Sequence, residues 1–187
     1  TDHHWTSTGA YTAYGVIADS MGLNATPKSE FSITTHNDFY GTSYAKSALW
    51  LTKPDTIELW KNKNHTDSTI SVYIKDGQKE IKSDTMFFEE NLSTDDKYTT
   101  FLDGNHGYVK ITNNDNKSAK KLLIIRDSYA HSLAPFLADN YSEITLIDLR
   151  YYKSPVSSII KEQNIDETLI LYGLDTITTD TNIAYLF

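Results

Sequence analysis

The sequence predicts an α/β fold with a β-rich segment in its first half, and three observations carry that reading. From Lys120 onward, short apolar runs alternate with helix-period stretches. The runs in "KLLIIRDS", "ITLIDLRYY" and "ETLILYG" are continuously apolar and short, as strands buried on both faces of a parallel sheet are. From Phe31 to about Ile111 the pattern shortens to alternating stretches divided by Asn, Asp, Gly and Lys, which reads as antiparallel strands.

In chain order, "TSTGAYTAYGVIADSMG" reads as a helix capped by Thr6, with Ala10, Tyr14, Ile17 and Met21 on one face. The stretches "FSITTH", "TIELW", "TISVYI" and "YVKI" follow as strands, forming a β-rich insertion over residues 31–111 beside the main sheet. "ITNNDNKSAKK" is a polar connector. Next, "KLLII" is a strand and "SYAHSLAPFLADNY" a helix that Pro135 should kink. "ITLID" is a second strand, followed by a helix in "SPVSSIIKEQN" with Ser154 as cap and Pro155 in the first turn. "TLILY" is a third strand, and "LDTITTDTNIAYLF" a last helical stretch. Right-handed crossovers between these strands give a doubly wound unit. At 187 residues the chain is long enough for one well-buried domain, residues 1–187, and short for two.

Composition narrows the function classes. The formal charge of -8 argues against a nucleic-acid or anionic-membrane surface, because little here would displace counterions from phosphates. The absence of cysteine excludes disulfides, thiolate catalysis and thiolate metal sites. No apolar run approaches the roughly 20 residues that span a bilayer, and no signal-like segment opens the chain.

Open parallel sheets bind ligands beyond the carboxyl ends of their strands, so the residues after each run are the ones to inspect. These are Arg126, Asp127, Ser128 and Tyr129, then Leu149, Arg150, Tyr151 and Tyr152, then Gly173, Leu174 and Asp175. Ser128 stands where a strand turns into a helix, which exposes a hydroxyl beside backbone N–H groups able to hold an oxyanion. Its plain alternative is a helix cap. Acyl chemistry also needs a base and a group to orient it, and the opening "TDHHW" supplies both. In extended chain Asp2 and His4 project to the same side, so the carboxylate can fix the imidazole tautomer and leave Nε2 for Ser128. His3 then faces the other way and reads as structural.

"DHHW" followed by "TSTGA", with "FLDGNHGYVKI", "LLIIRDSYAHSLAPFLADNYSEITLIDLRYY" and "TLILYG" downstream, resembles the DHHW family of Gram-positive bacteria. That family is similar to the alginate O-acetyltransferase group of SGNH-hydrolase-like enzymes. The resemblance implies a flavodoxin-like parallel sheet flanked by helices and circularly permuted, with Asp-x-His ahead of the serine. It implies Ser128 as nucleophile, His4 as general base and Asp2 as its orienting carboxylate, with Trp5 and the following helix holding the motif. It also implies an oxyanion hole from the Ser128 N–H and one near Arg150 or Tyr151. The usual Asn after the third strand is replaced by Tyr172 and Gly173, with Asn105 as an alternative donor. Arg126 replaces the glycine of Gly-Asp-Ser, where it would narrow the pocket or supply a cation.

The function implied is transfer of an acetyl group through acetyl-serine to hydroxyls of an extracytoplasmic polysaccharide. No cofactor or metal is implied, and the acetyl donor would come from a membrane-bound O-acyltransferase partner. Further sequence, an anchor included, is expected ahead of this motif, making the chain a C-terminal portion of a longer one. A carbohydrate acetylesterase with the same triad is the first alternative. Two others are a carbohydrate-binding module using Tyr11, Tyr40, Tyr44, Trp50, Trp60, Tyr151 and Tyr152, and a DHH-type metal phosphoesterase recruiting Asp127, Asp148 and Asp175.

Overall fold

The computed structural model describes residues 1–47 and 49–186. Its centre is a six-stranded sheet. Five strands lie between residues 31 and 113: β1 (Phe31–Phe39), β2 (Asp55–Asn62), β3 (Ile70–Asp76), β4 (Lys79–Ser83) and β5 (Tyr108–Asn113). Three follow: β6 (Lys121–Arg126), β7 (Glu143–Ile147) and β8 (Glu167–Leu171). The sheet order is β4-β3-β5-β7-β6-β8, and β1 pairs with β2 in a separate two-stranded sheet. Strands β7, β6 and β8 run parallel, whereas β5 joins β7 antiparallel and continues antiparallel into β3 and β4.

The parallel half is therefore as expected, but it is half of the sheet. The residue 31–111 segment is β-rich as expected, yet β3, β4 and β5 extend the main sheet instead of lying beside it. Strand β5 buries Val109, Ile111 and Asn113 and leaves its other face half-covered, the alternation that an antiparallel strand on a one-sided core shows. Strand β6 is buried at five of six positions because helices cover both its faces.

The helices are α1 (Ser7–Ser20), α2 (Thr42–Ser47), α3 (Ala130–Leu137), α4 (Val156–Gln163) and α5 (Leu174–Thr179), of which α1, α3 and α4 supply the cover over β6. Side chains alternate across β6, so Leu122 and Ile124 join the core formed with Ala10, Tyr14 and Ala18 of α1 and Leu133 and Leu137 of α3. Leu123 and Ile125 point the other way, into a second core with Val156 and Ile159 of α4. Thr6 caps α1 as expected, accepting from the Gly9 N–H at 3.1 Å. Ala10 and Tyr14 are buried, while Ile17 and Met21 pack at the core's edge. The start of α4 differs by one residue, with Pro155 at the cap position and Ser154 outside it. Pro135 lies inside the short α3. No helix among the described residues is long and apolar enough to cross a membrane.

Candidate active site

Ser128 sits in the turn between β6 and α3. It is not the helix cap: Tyr129 holds that position and no side chain closes it. Instead Ser128 Oγ lies 2.7 Å from His4 Nε2. The turn is pinned by Asp127, whose Oδ1 accepts from the Tyr129 N–H at 3.0 Å and whose Oδ2 accepts from the Gly173 N–H at 2.7 Å. This carboxylate ties the ends of β6 and β8 together. The neighbouring Ser128 N–H makes no hydrogen bond among the described residues.

On its far side, His4 Nδ1 lies 2.7 Å from Asp2 Oδ2. The other carboxylate oxygen of Asp2 accepts from both the N–H and the hydroxyl of Thr42, each at 3.0 Å. Asp2 and His4 side chains are 8% and 4% exposed, so these bonds form where water competes little. Burial alone would raise the Asp2 carboxyl, but the hydrogen bond and charge of His4 and the two bonds from Thr42 outweigh it and hold the group well below the usual carboxylate range. Asp2 is thus an anion whose two oxygens are both engaged, one of them by the imidazole.

Tyr98 fixes the ring. Its phenol lies parallel to the His4 imidazole, with centroids 3.7 Å apart and planes 3° from parallel. The Tyr98 hydroxyl donates to the Ser128 carbonyl at 3.1 Å and lies 3.2 Å from Ser132 Oγ, which accepts from Trp5 Nε1 at 3.0 Å. Trp5 therefore connects the opening segment to α3 through Ser132. Nothing local in the sequence points to Tyr98 or Thr42, and Asp127, which stands at the strand end as a residue to inspect, carries no signal of its role in pinning the turn.

His3 departs from expectation. Residues 3 and 4 form a bend instead of extended chain, so the two imidazoles lie on the same side, with centroids 3.8 Å apart. His3 Nδ1 is 2.5 Å from Thr42 Oγ1 and 3.4 Å from Asp2 Oδ1.

The residues expected around an oxyanion are placed less favourably. Arg126 is fully buried and points into the core, where it donates to the His106 carbonyl at 3.1 Å, contacts His131 Nε2 and lies 3.6 Å from Asp148. It neither narrows a pocket nor offers a cation beside the serine. Burial lowers its guanidinium to about 10 against the opposing pull of Asp148, which leaves it charged at neutral pH. Arg150 and Tyr151 do not provide a free backbone donor: the Arg150 N–H donates to Asp148 Oδ1 at 3.0 Å and the Tyr151 N–H to the Asp148 carbonyl at 3.0 Å. The Arg150 guanidinium grips Asp148 with bonds of 2.9 and 2.6 Å and reaches Asn105 Oδ1 at 3.4 Å. Tyr172 packs against the second core, and its buried hydroxyl has no partner among the described residues. At Gly173 an added Cβ would lie 2.7 Å from the Tyr129 ring, so the position has no room for an asparagine.

A cleft of about 430 Å³ opens on the Asp2 and His4 side, with Trp5, Phe39, Tyr98 and Phe101 in its walls. Ser128 is half-buried and is not among the lining residues. A hydroxyl joined to an imidazole and a buried carboxylate in this order can be deprotonated as it attacks a carbonyl carbon.

These features define a mixed α/β domain with a sheet core, flanking helices and a hydroxyl–imidazole–carboxylate chain beyond the carboxyl end of β6. The DHHW protein family matches residues 1–147, and the chain belongs to that family. Its fold is similar to that of a DHHW family protein from Eubacterium siraeum, with a TM-score of 0.81 and 27% identity over 99% of this chain and 61% of that one. It is also similar to Bacillus cereus PatB1, both in a structure with a sulfonyl adduct (TM-score 0.79, 22% identity, 97% of this chain and 62% of that one) and in a second PatB1 structure (0.78, 20%, 97% and 64%). The chain thus spans about three fifths of these proteins. None of the curated proteins matches it in sequence.

Proposed function

We propose that this domain is an O-acetyltransferase with an SGNH-like, circularly permuted fold that carries residues 31–111 as its β-rich insertion. Ser128 is its nucleophile, His4 its general base and Asp2 the carboxylate that orients His4. The observation that carries the reading is the unbroken chain from Asp2 through His4 to Ser128, with both links at 2.7 Å. Membership of the DHHW family supports it.

In the first half-reaction Ser128 Oγ attacks the carbonyl carbon of an acetyl donor while His4 Nε2 takes its proton. The tetrahedral oxyanion is held by the free Ser128 N–H. Its collapse expels the donor's leaving group, which takes the proton back from His4. In the second half a sugar hydroxyl gives its proton to His4 and attacks the acetyl-serine, and collapse breaks the Ser128 Oγ–acetyl bond as His4 returns the proton to Oγ. The acceptor is an extracytoplasmic polysaccharide, and a membrane-bound O-acyltransferase delivers the acetyl group to a full-length, membrane-anchored protein.

The recruited aspartates disfavour a metal phosphoesterase. Asp127 accepts from two loop N–H groups and Asp148 is held by Arg150, and neither joins Asp2, His3 and His4 in one cluster. Of the aromatic residues a binding module would use, Trp60 is buried in the core.

Transferase and esterase differ in what takes the acetyl group from Ser128. Incubation with a chromogenic acetyl ester, with and without an oligosaccharide acceptor, should give acetylated sugar at the expense of free acetate. Acetate alone at saturating acceptor would assign an esterase.

A further inference from the structure

We propose that Asp2, His3 and His4 form a site for a divalent transition-metal ion such as Zn²⁺, and that filling it switches the triad off. The bend at residues 3 and 4 is what creates the site. In extended chain His3 would face away from its neighbours, whereas here one ligand atom from each of the three residues lies within 4.8 Å of the others. Zinc bonds of about 2.0–2.2 Å to nitrogen and oxygen place tetrahedral ligand atoms roughly 3.4 Å apart. His3 Nδ1 and Asp2 Oδ1 stand at 3.4 Å. The His4 Nδ1 to Asp2 Oδ2 distance of 2.7 Å is that of a hydrogen bond, and the ion takes the place of its proton.

The chemistry of the donors selects the ion. Two imidazoles and one carboxylate suit zinc, copper or nickel, whereas magnesium and calcium prefer all-oxygen shells. Access comes through His3, whose side chain is 42% exposed while Asp2 and His4 are nearly closed off. The Thr42 hydroxyl now lies 2.5 Å from His3 Nδ1 and 3.0 Å from Asp2 Oδ1, so the ion displaces it from both atoms when it binds.

Occupancy has a definite consequence for proton transfer. A neutral imidazole that binds a metal through Nδ1 carries its single proton on Nε2. That is the nitrogen facing Ser128, so it becomes a donor where the reaction needs an acceptor. Asp2 is drawn to the ion at the same time and no longer orients the ring. The loss of turnover rests on His4 being the base, whereas the binding itself does not.

The test uses zinc chloride and magnesium chloride on the whole chain, with His3→Gln and Ser128→Ala beside the unsubstituted protein. His3→Gln keeps a polar partner for Thr42 but removes an imidazole ligand. By calorimetry the unsubstituted protein and Ser128→Ala should bind one zinc ion and no magnesium, with affinity at least about tenfold weaker in His3→Gln. Turnover of an acetyl ester should fall with zinc, return with a chelator, and persist in zinc-treated His3→Gln. Equal zinc affinity in His3→Gln and the unsubstituted protein, or no binding by a folded protein, would overturn the site. Zinc binding in a chain without any acyl-transfer activity would keep the site and remove the proposed function instead.

Discussion

Gly41 and Asp2 are packed so closely that a Cβ added to Gly41 would stand 2.2 Å from Asp2 Cβ and 2.6 Å from its Cα. The reason is local: the chain leaving β1 must pass directly over Asp2 for the next residue, Thr42, to give both its N–H and its hydroxyl to the carboxylate. Glycine is needed here for close approach and not for an unusual backbone angle.

Gly41→Ala should therefore push Asp2 away from His4. Displacing a catalytic group by about 1 Å costs roughly a hundredfold in rate, and that is the drop expected in acetyl-ester turnover, with the fold retained by circular dichroism. Unchanged turnover would mean that the position of Asp2 is not critical.

Asp2→Asn separates the role of the charge from that of the shape. Loss of tautomer control should lower turnover by about three to four orders of magnitude without unfolding the chain. Stability should respond with a definite sign. A carboxyl depressed on folding stabilises the protein fully above its unfolded value of about 3.9 and loses that contribution as pH falls toward the folded value. Asp2→Asn should thus melt lower than the unsubstituted protein at pH 7, with the gap narrowing as the pH drops below about 4. A gap of constant size would show that the negative charge contributes nothing.

Parts of this arrangement were legible in the sequence because they are local. The apolar runs announce β6, β7 and β8, a strand-to-helix turn exposes Ser128, and Asp-x-His puts a carboxylate within reach of an imidazole. What stayed hidden depends on long-range packing. Thr42 meets Asp2 across 40 residues, and Tyr98 reaches Ser128 across 30, with no motif marking either. The direction of His3 was misread because a bend, which periodicity does not register, replaces extended chain. Arg126 looked like a cation at a strand end, yet Asp148, itself at the end of β7, draws it into the core. Strands β3 and β5 announce themselves as strands, whereas the polar edge strand β4 (KEIKS) does not, and pairing partners are chosen by edges that only the folded sheet presents.

The most direct measurement is intact mass after brief incubation with an activated acetyl ester, for the unsubstituted protein, Ser128→Ala and His4→Ala. One added acetyl group is expected on the unsubstituted protein, localised to Ser128 by fragmentation, with none on either variant. An acetyl group that persists in Ser128→Ala, or that forms equally fast without His4, would contradict the assignment of the triad.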